Sequence, residues 1–109
     1  MLKIVDLGLA THCDEPEYLF KRCGTPGFVA PEVVNAPSDE NIHYSTKCDV
    51  FSAGVIFYLV LVGKTPFPGK TFKTILQNNK ECKIKYDIEE LKYCPAEGKN
   101  RCKLSHFAP

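Results

Sequence analysis

The chain has 109 residues, of which 44% are hydrophobic and 25% are charged, and its formal net charge is +1. This length fits one small domain or part of a larger one, and the apolar fraction excludes wholesale disorder. Because the net charge is near zero and the basic residues are scattered, strong electrostatic binding to nucleic acid or to an anionic membrane surface is excluded.

Six cysteines are spread along the chain without a Cys-x-x-Cys pair, and the three histidines lack zinc-finger spacing. An even number of cysteines in a short chain also allows disulfides, but no cationic start precedes an apolar run, so no signal peptide is visible. We therefore expect reduced thiols and a cytoplasmic protein. Cys23 and Cys48 lie in tight or apolar segments and are expected to be buried.

The first third of the chain is predicted to be mostly irregular. Residues 2–5 are β-prone and end at Asp6-Leu7-Gly8, where glycine permits a sharp turn. Residues 9–22 have no helical or strand period and are interpreted as a loop. Residues 23–32 hold two prolines and two glycines, which exclude an ordinary helix or strand. Pro31 can open a short helix because proline is tolerated in a first turn.

The middle of the chain is strongly apolar from Val50 to Val62, between Asp49 and Gly63. The run is too short for a membrane span, which needs about 20 residues. It suits a helix over about 49–62 that is buried on all sides, with Gly63 as its C-cap. A strand is the alternative, because β-branched and aromatic residues are frequent. Residues 71–79 have apolar positions at helical spacing and predict an amphipathic helix.

Several short motifs follow one another in a definite order. They are Asp6-Leu7-Gly8, Gly24-Thr25-Pro26-Gly27-Phe28, Ala30-Pro31-Glu32, Asp49-Val50-Phe51-Ser52-x-Gly54 and Gly63-x-x-Pro66-Phe67. Each is weak alone, but the ordered set resembles the protein kinase family, specifically serine/threonine kinases of the calmodulin-dependent and calcium-dependent type. A chance match in an unrelated protein is the remote alternative.

The resemblance implies a mainly α fold, the partial C-terminal lobe of a kinase-like α+β domain over residues 1–100. One or two short N-terminal strands and a buried central helix are expected in it. Residues 6–32 would be the activation segment, and residues 101–109 are a tail that departs from the family pattern.

By the same resemblance, Asp6 is the cofactor-binding residue that holds Mg²⁺ against the phosphates of ATP. Taken alone, Asp6 would be read as a turn-capping aspartate. Leu7 stands where the family usually has Phe, with a packing role, and Gly8 lets the loop pass without a clash.

Residues 24–29 resemble the loop that docks the residue beside the phosphorylated hydroxyl of a protein substrate. Its substrate-docking residues would be Gly24, Thr25, Pro26 and Gly27. Thr25 matches the threonine that bonds the catalytic aspartate in serine/threonine kinases and argues against a tyrosine kinase; a solvent-facing turn residue is the plainer interpretation.

Other matched residues would be structural: Ala30, Pro31, Glu32, Asp49 and Gly54. In the family, Glu32 pairs with a distant arginine, and Asp49 caps the central helix and accepts backbone hydrogen bonds from the catalytic loop.

The sequence contains no Gly-rich loop, no Val-Ala-x-Lys lysine and no His-Arg-Asp loop. The catalytic base therefore lies outside the chain, which we expect to be inactive alone. The chain is either part of a longer kinase or a short non-catalytic, pseudokinase-like module that binds a regulator or partner.

Glu32 and Asp49 would be buried without partners, which costs about 3–5 kcal/mol out of a typical 5–15 kcal/mol. We therefore expect a marginally stable isolated chain. Its expected partner is a protein substrate or regulator; calcium or calmodulin control follows from resemblance only, since no EF-hand loop occurs.

Overall fold

The computed structural model describes residues 1–12, 14, 23–36, 45–86 and 89–101. The elements, in chain order, are a 3-10 turn at Leu7–Leu9 and helices α1 Pro31–Val34, α2 Lys47–Val62, α3 Phe72–Glu81, α4 Glu89–Lys92 and α5 Ala96–Arg101. This arrangement confirms the mainly α prediction. The divergent tail lies, beyond its first residue, outside the described ranges.

Helix α2 begins earlier than the apolar run that predicts it. The N-cap position belongs to Thr46, and Asp49 is the third helical residue, so the prediction that Asp49 caps the helix is wrong. The cause is local: the amides of Cys48 and Asp49 already bond to the carbonyls of Ser45 and Thr46, at 3.1 and 3.2 Å. Asp49 instead places a negative charge in the first turn, where the helix dipole favours it.

The C-terminus of α2 is the one the sequence predicts. Gly63 adopts the left-handed conformation, with φ of 72°, and its amide donates to the carbonyl of Leu59 at 2.8 Å. Glycine takes this conformation without a Cβ clash, so it ends the helix sharply.

One face of α2 forms the core. Phe51 and Val55 are fully buried and pack with Ala30, Val33 and Phe67. The rings of Phe51 and Phe67 stack with centroids 6.4 Å apart and planes 17° from parallel. A second cluster lies further along the same helix and comprises Tyr58, Val62 and Leu91. These contacts attach the 24–29 loop, α1 and α4 to a single helix.

The opposite face of α2 is apolar but uncovered in the described part of the chain. Ile56, Phe57 and Val60 are 52%, 37% and 76% exposed. The prediction of a helix buried on all sides is therefore wrong for this chain, because the described elements pack on one face only. An exposed apolar surface of this kind favours association.

The β-prone residues 2–5 do not form a strand. Leu2, Ile4 and Val5 are 96%, 89% and 77% exposed. A strand needs a neighbour to pair its backbone groups, and no other strand exists within the described ranges. Strand propensity alone is therefore not enough to form a strand here.

Helix α3 forms close to its predicted position. Thr71 is its N-cap, and the Thr71 hydroxyl accepts from the amide of Thr74 at 3.2 Å. Ile75 and Leu76 are half-buried, as the helical spacing predicts, whereas Phe72 is 69% exposed. The helix packs mainly against α1.

The cysteines are less buried than the sequence suggests, since Cys23 and Cys48 are only half-buried. Cys48, Cys82 and Cys94 are not joined by disulfides within the described residues. In the part of the chain that can be described, no helix combines the length and apolar character that a membrane crossing requires.

An ion pair between Lys64 and Glu90 joins the end of α2 to α4. The hydrogen bond between them raises the pKa of Lys64 and lowers the pKa of Glu90. The Glu90 contribution is present above the unfolded carboxyl pKa of about 4.3 and is lost as the pH falls through the folded value. The Lys64 contribution is present below about 10.4 and is lost as the pH rises through the folded value.

We therefore expect Glu90→Gln to lower the urea midpoint slightly at neutral pH, and the difference from the parent to shrink toward about pH 3. Urea titrations of both proteins across this range measure it. Glu97→Gln, on an exposed position of α5, is the matched control. A difference that stays constant with pH would contradict the assignment.

Candidate functional site

The Asp6-Leu7-Gly8 turn has an unusual backbone. Asp6 has φ of 62° and ψ of 72°, a left-handed conformation that is costly for a residue with a side chain. Its side chain makes no capping hydrogen bond and is exposed, so the turn-capping interpretation does not apply. Leu7 is 69% exposed and has no packing role in the described part. The turn therefore presents a carboxylate to solvent.

The 24–29 loop is bent by two glycines with positive φ. Gly24 has φ of 115° and Gly27 of 91°, values that side chains rarely adopt. A Cβ on Gly24 would lie 2.8 Å from Cγ2 of Val29, so any other residue at this position would force the Val29 side chain to move. Across Pro26 and Gly27, the amide of Phe28 donates to the carbonyl of Thr25 at 3.1 Å and closes a tight turn. Thr25 itself is exposed.

Two side chains that sequence reasoning missed hold this loop. Asn79 of α3 is fully buried; its Oδ1 accepts from the Gly27 amide at 2.9 Å, and its Nδ2 donates to the Val29 carbonyl at 2.8 Å. Ser52 of α2 has its hydroxyl 2.8 Å from the Phe28 carbonyl. In the sequence, the role of Asn79 is indicated only by its position: it is a polar residue four positions after Ile75, on the otherwise apolar face of α3.

A cleft of about 540 Å³ separates the N-terminal segment from the 24–29 loop and the start of α2. Of the predicted site residues, it brings together Asp6, Leu7, Gly24, Thr25, Ala30 and Asp49. The others do not line it: Gly8, Pro26, Gly27, Pro31, Glu32 and Gly54. Gly54 is buried within α2, and Pro31 is the first residue of α1.

Glu32 is half-buried and does not line the cleft, and its Oε2 is buried without a hydrogen-bond partner in the part of the chain that the structure describes. Burial raises the pKa of the Cys48 thiol, and the carboxylates of Asp49 and Glu32 raise it further. Burial, and then Glu32, likewise raise the pKa of the Cys82 thiol. Both thiols are therefore within electrostatic reach of the Glu32 carboxylate.

A metal ion at the cleft would have to complete its coordination shell with water or with atoms of a bound molecule. Among the described residues, no group of three His, Cys, Asp or Glu side chains could hold a metal by itself. Magnesium commonly takes one or two carboxylates and completes its shell with water and phosphate oxygens. Asp6, an exposed carboxylate at the cleft, meets that requirement.

Comparison with known proteins gives a consistent picture. Residues 1–103 match the family model described as protein kinase domain. The chain is 43% identical over 88 residues to "Probable serine/threonine-protein kinase 2" of Plasmodium falciparum (isolate K1 / Thailand), covering 81% of this chain and 16% of that protein. It is 36% identical over 104 residues to "Calcium-dependent protein kinase 3" of Plasmodium berghei (strain Anka), covering 94% of this chain and 18% of that protein.

A solved structure shares the fold. The twitchin kinase region from C. elegans superposes with a TM-score of 0.72 at 30% identity, covering 90% of this chain and 17% of that one. The likeness confirms the kinase-like fold predicted from the motifs. The chain spans less than a fifth of the length of these relatives.

Proposed function

This chain belongs to the protein kinase family, and we propose that it supplies the metal-binding and substrate-docking part of an ATP-dependent serine/threonine kinase domain. The observation that carries the proposal is the cleft that places Asp6 and Thr25 on the same surface. Phosphoryl transfer depends mainly on positioning and charge neutralisation, and these two residues provide one element of each.

Asp6 is proposed as the magnesium ligand. Its carboxylate is a hard oxygen donor, exposed and uncommitted to a cap. Magnesium, when bound, would neutralise charge on the nucleotide phosphates. The left-handed backbone of Asp6 fits this role, because strained conformations concentrate at functional sites.

The 24–29 loop is proposed as the surface that docks the protein substrate. Gly24 is exposed and has no side chain, so a peptide backbone can approach the loop closely at this point, whereas Gly27 is buried and contributes to the bend of the loop. Thr25 is exposed at the cleft and can donate a hydrogen bond to a carboxylate that acts as the base. A threonine in this place supports serine and threonine, rather than tyrosine, as the acceptors.

By themselves, the 109 residues are proposed to be inactive. The sequence contains neither the His-Arg-Asp loop nor the Gly-rich loop and lysine that hold ATP. Control by calcium, which the names of two relatives suggest, is part of the same proposal, as is the cytoplasmic location expected from the sequence. Calcium would act through segments other than this one, since the sequence has no EF-hand loop.

A second candidate function is a non-catalytic module that binds a partner. The uncovered apolar face of α2, with Ile56, Phe57 and Val60, favours it, because such a face is stable only when something covers it. The two functions differ in whether the chain supports phosphoryl transfer when the rest of a catalytic domain is supplied.

The test uses a chimera. In calcium-dependent protein kinase 3 of P. berghei, the segment that matches this chain is replaced by the 109 residues of the chain. We expect it to phosphorylate serine and threonine peptides in the presence of magnesium, ATP and calcium, and to leave matched tyrosine peptides unmodified. The 109-residue chain alone should give no transfer above a blank without enzyme. An inactive chimera, beside an active parent kinase, would favour the binding module.

A further inference from the structure

Asn79 fixes the 24–29 loop by two hydrogen bonds to its backbone. From this geometry, and resting on the proposed function, we propose that Asn79 is a positioning residue for the protein substrate. It acts through the loop and touches neither ATP nor the reacting atoms. Its contribution is to hold the docking surface in one conformation before the substrate arrives.

The side chain suits this task because an amide offers a donor and an acceptor at once. Oδ1 receives the Gly27 amide at 2.9 Å and Nδ2 reaches the Val29 carbonyl at 2.8 Å, so Asn79 bonds the loop as a neighbouring strand would. Asn79 is 0% exposed, and among the described residues no other polar or charged side chain belongs to a buried residue. In the structure, the side-chain amide is therefore satisfied by the loop backbone.

The loop has few other restraints of its own. Gly27 has φ of 91°, outside any helix or strand, so its amide finds its partner across 52 residues of sequence. Glycine is also the residue that loses most backbone freedom on ordering. If the two bonds from Asn79 on α3 were lost, the loop would still be held by the bond from Ser52 on α2 to the Phe28 carbonyl. The Gly27 end of the loop would then be free to change conformation.

The same bonds couple the loop to the placement of α3. A cavity of about 210 Å³ lies between them, lined by Pro26 and Val29 on one side and by Phe72 and Leu76 on the other. Asn78, next to Asn79, joins α3 to the segment between α2 and α3, because its Nδ2 donates to the Pro68 carbonyl at 2.6 Å. The shape of the docking surface therefore depends on α3, which lies outside the activation segment.

The first test is amide hydrogen exchange in the full 109-residue chain. We expect Asn79→Leu to speed exchange at Gly27 about tenfold or more, as losing a buried hydrogen bond implies, while Val55 in α2 keeps its rate. Gln77→Leu makes the same kind of change on the exposed side of α3 and should leave both amides unaffected. Unchanged exchange at Gly27, or equal acceleration at Val55, would overturn the proposal.

The second test uses the chimera. Asn79→Leu should raise KM for the peptide substrate about tenfold and leave kcat and KM for ATP unchanged, because only substrate docking is affected. A variant with unchanged peptide KM, or with kcat and both KM values altered together, would refute the positioning role while the proposed function stands. If the chimera with Asn79 intact were inactive, the proposed function would fail instead, and exchange at Gly27 alone would decide the role of Asn79.

Discussion

Replacing Asp6 with alanine in the chimera is expected to lower kcat for phosphoryl transfer about a thousandfold, equivalent to about 4 kcal/mol of transition-state stabilisation. The reason is that Asp6 is the proposed magnesium ligand, with an exposed carboxylate at the cleft that makes no capping hydrogen bond. Steady-state rates at saturating peptide and ATP measure the effect. Asp6→Asn keeps the size and removes the charge, and should in addition raise the magnesium concentration needed for half-maximal rate.

The matched control for this prediction is Glu89→Ala, which removes a carboxylate from α4, away from the cleft. Its rates should stay within about twofold of those of the chimera, because an exposed charge away from the reacting groups contributes little. Loss of a metal ligand should lower activity by a factor of hundreds. If Asp6→Ala kept more than about a tenth of the activity, the assignment of Asp6 as the magnesium ligand would be wrong.

Features fixed by neighbouring residues were predictable from the sequence. Gly63 ends α2 because only its own φ and the preceding turn are involved. Pro31 opens α1, and Gly24 and Gly27 bend the 24–29 loop, for the same local reason. The ordered motifs also predicted the family and the kinase-like fold, because each motif reports a different part of one known arrangement.

Features that depend on partners distant in sequence were not predictable in this way. The β-prone residues 2–5 stay unpaired because strand formation needs a second strand, which propensity does not reveal. The exposed face of α2 follows from what packs on it, since an apolar run records hydrophobicity and not coverage. The start of α2 at Lys47 was missed because the polar residues before Asp49 carry no apolar period.

The site shows the same division. Asp6 and Thr25 were found by motif, but their presence in one cleft required the fold. Asn79 and Ser52 reach the loop over 50 and 24 residues of sequence, and both bond to backbone atoms, which leave no complementary residue to search for. Polar residues on the packed side of a predicted helix are the signal to examine for such contacts.

Replacing Phe51 with alanine is expected to destabilise the chain by about 3–5 kcal/mol, the usual cost of deleting a buried aromatic ring. Phe51 is 0% exposed, and its ring stacks on Phe67 at 6.4 Å, so the change would leave a cavity at the centre of the main cluster. A domain of this kind has about 5–15 kcal/mol in total, and Glu32 Oε2, buried without a partner among the described residues, is expected to reduce this margin. The variant should therefore have little or no folded baseline in urea.

Val60→Ala is the matched control, because it shortens an apolar side chain of the same helix that is 76% exposed. Its urea midpoint, followed by circular dichroism, should match that of the parent, since surface changes usually fall within about 0.5 kcal/mol. It should also weaken self-association measured by sedimentation, because Val60 lies on the uncovered face. Equal midpoints for Phe51→Ala and the parent would mean that the packing around Phe51 does not hold the chain together. A sharp, cooperative transition of the parent at high urea would contradict marginal stability and indicate that this segment of the kinase lobe folds as an independent unit.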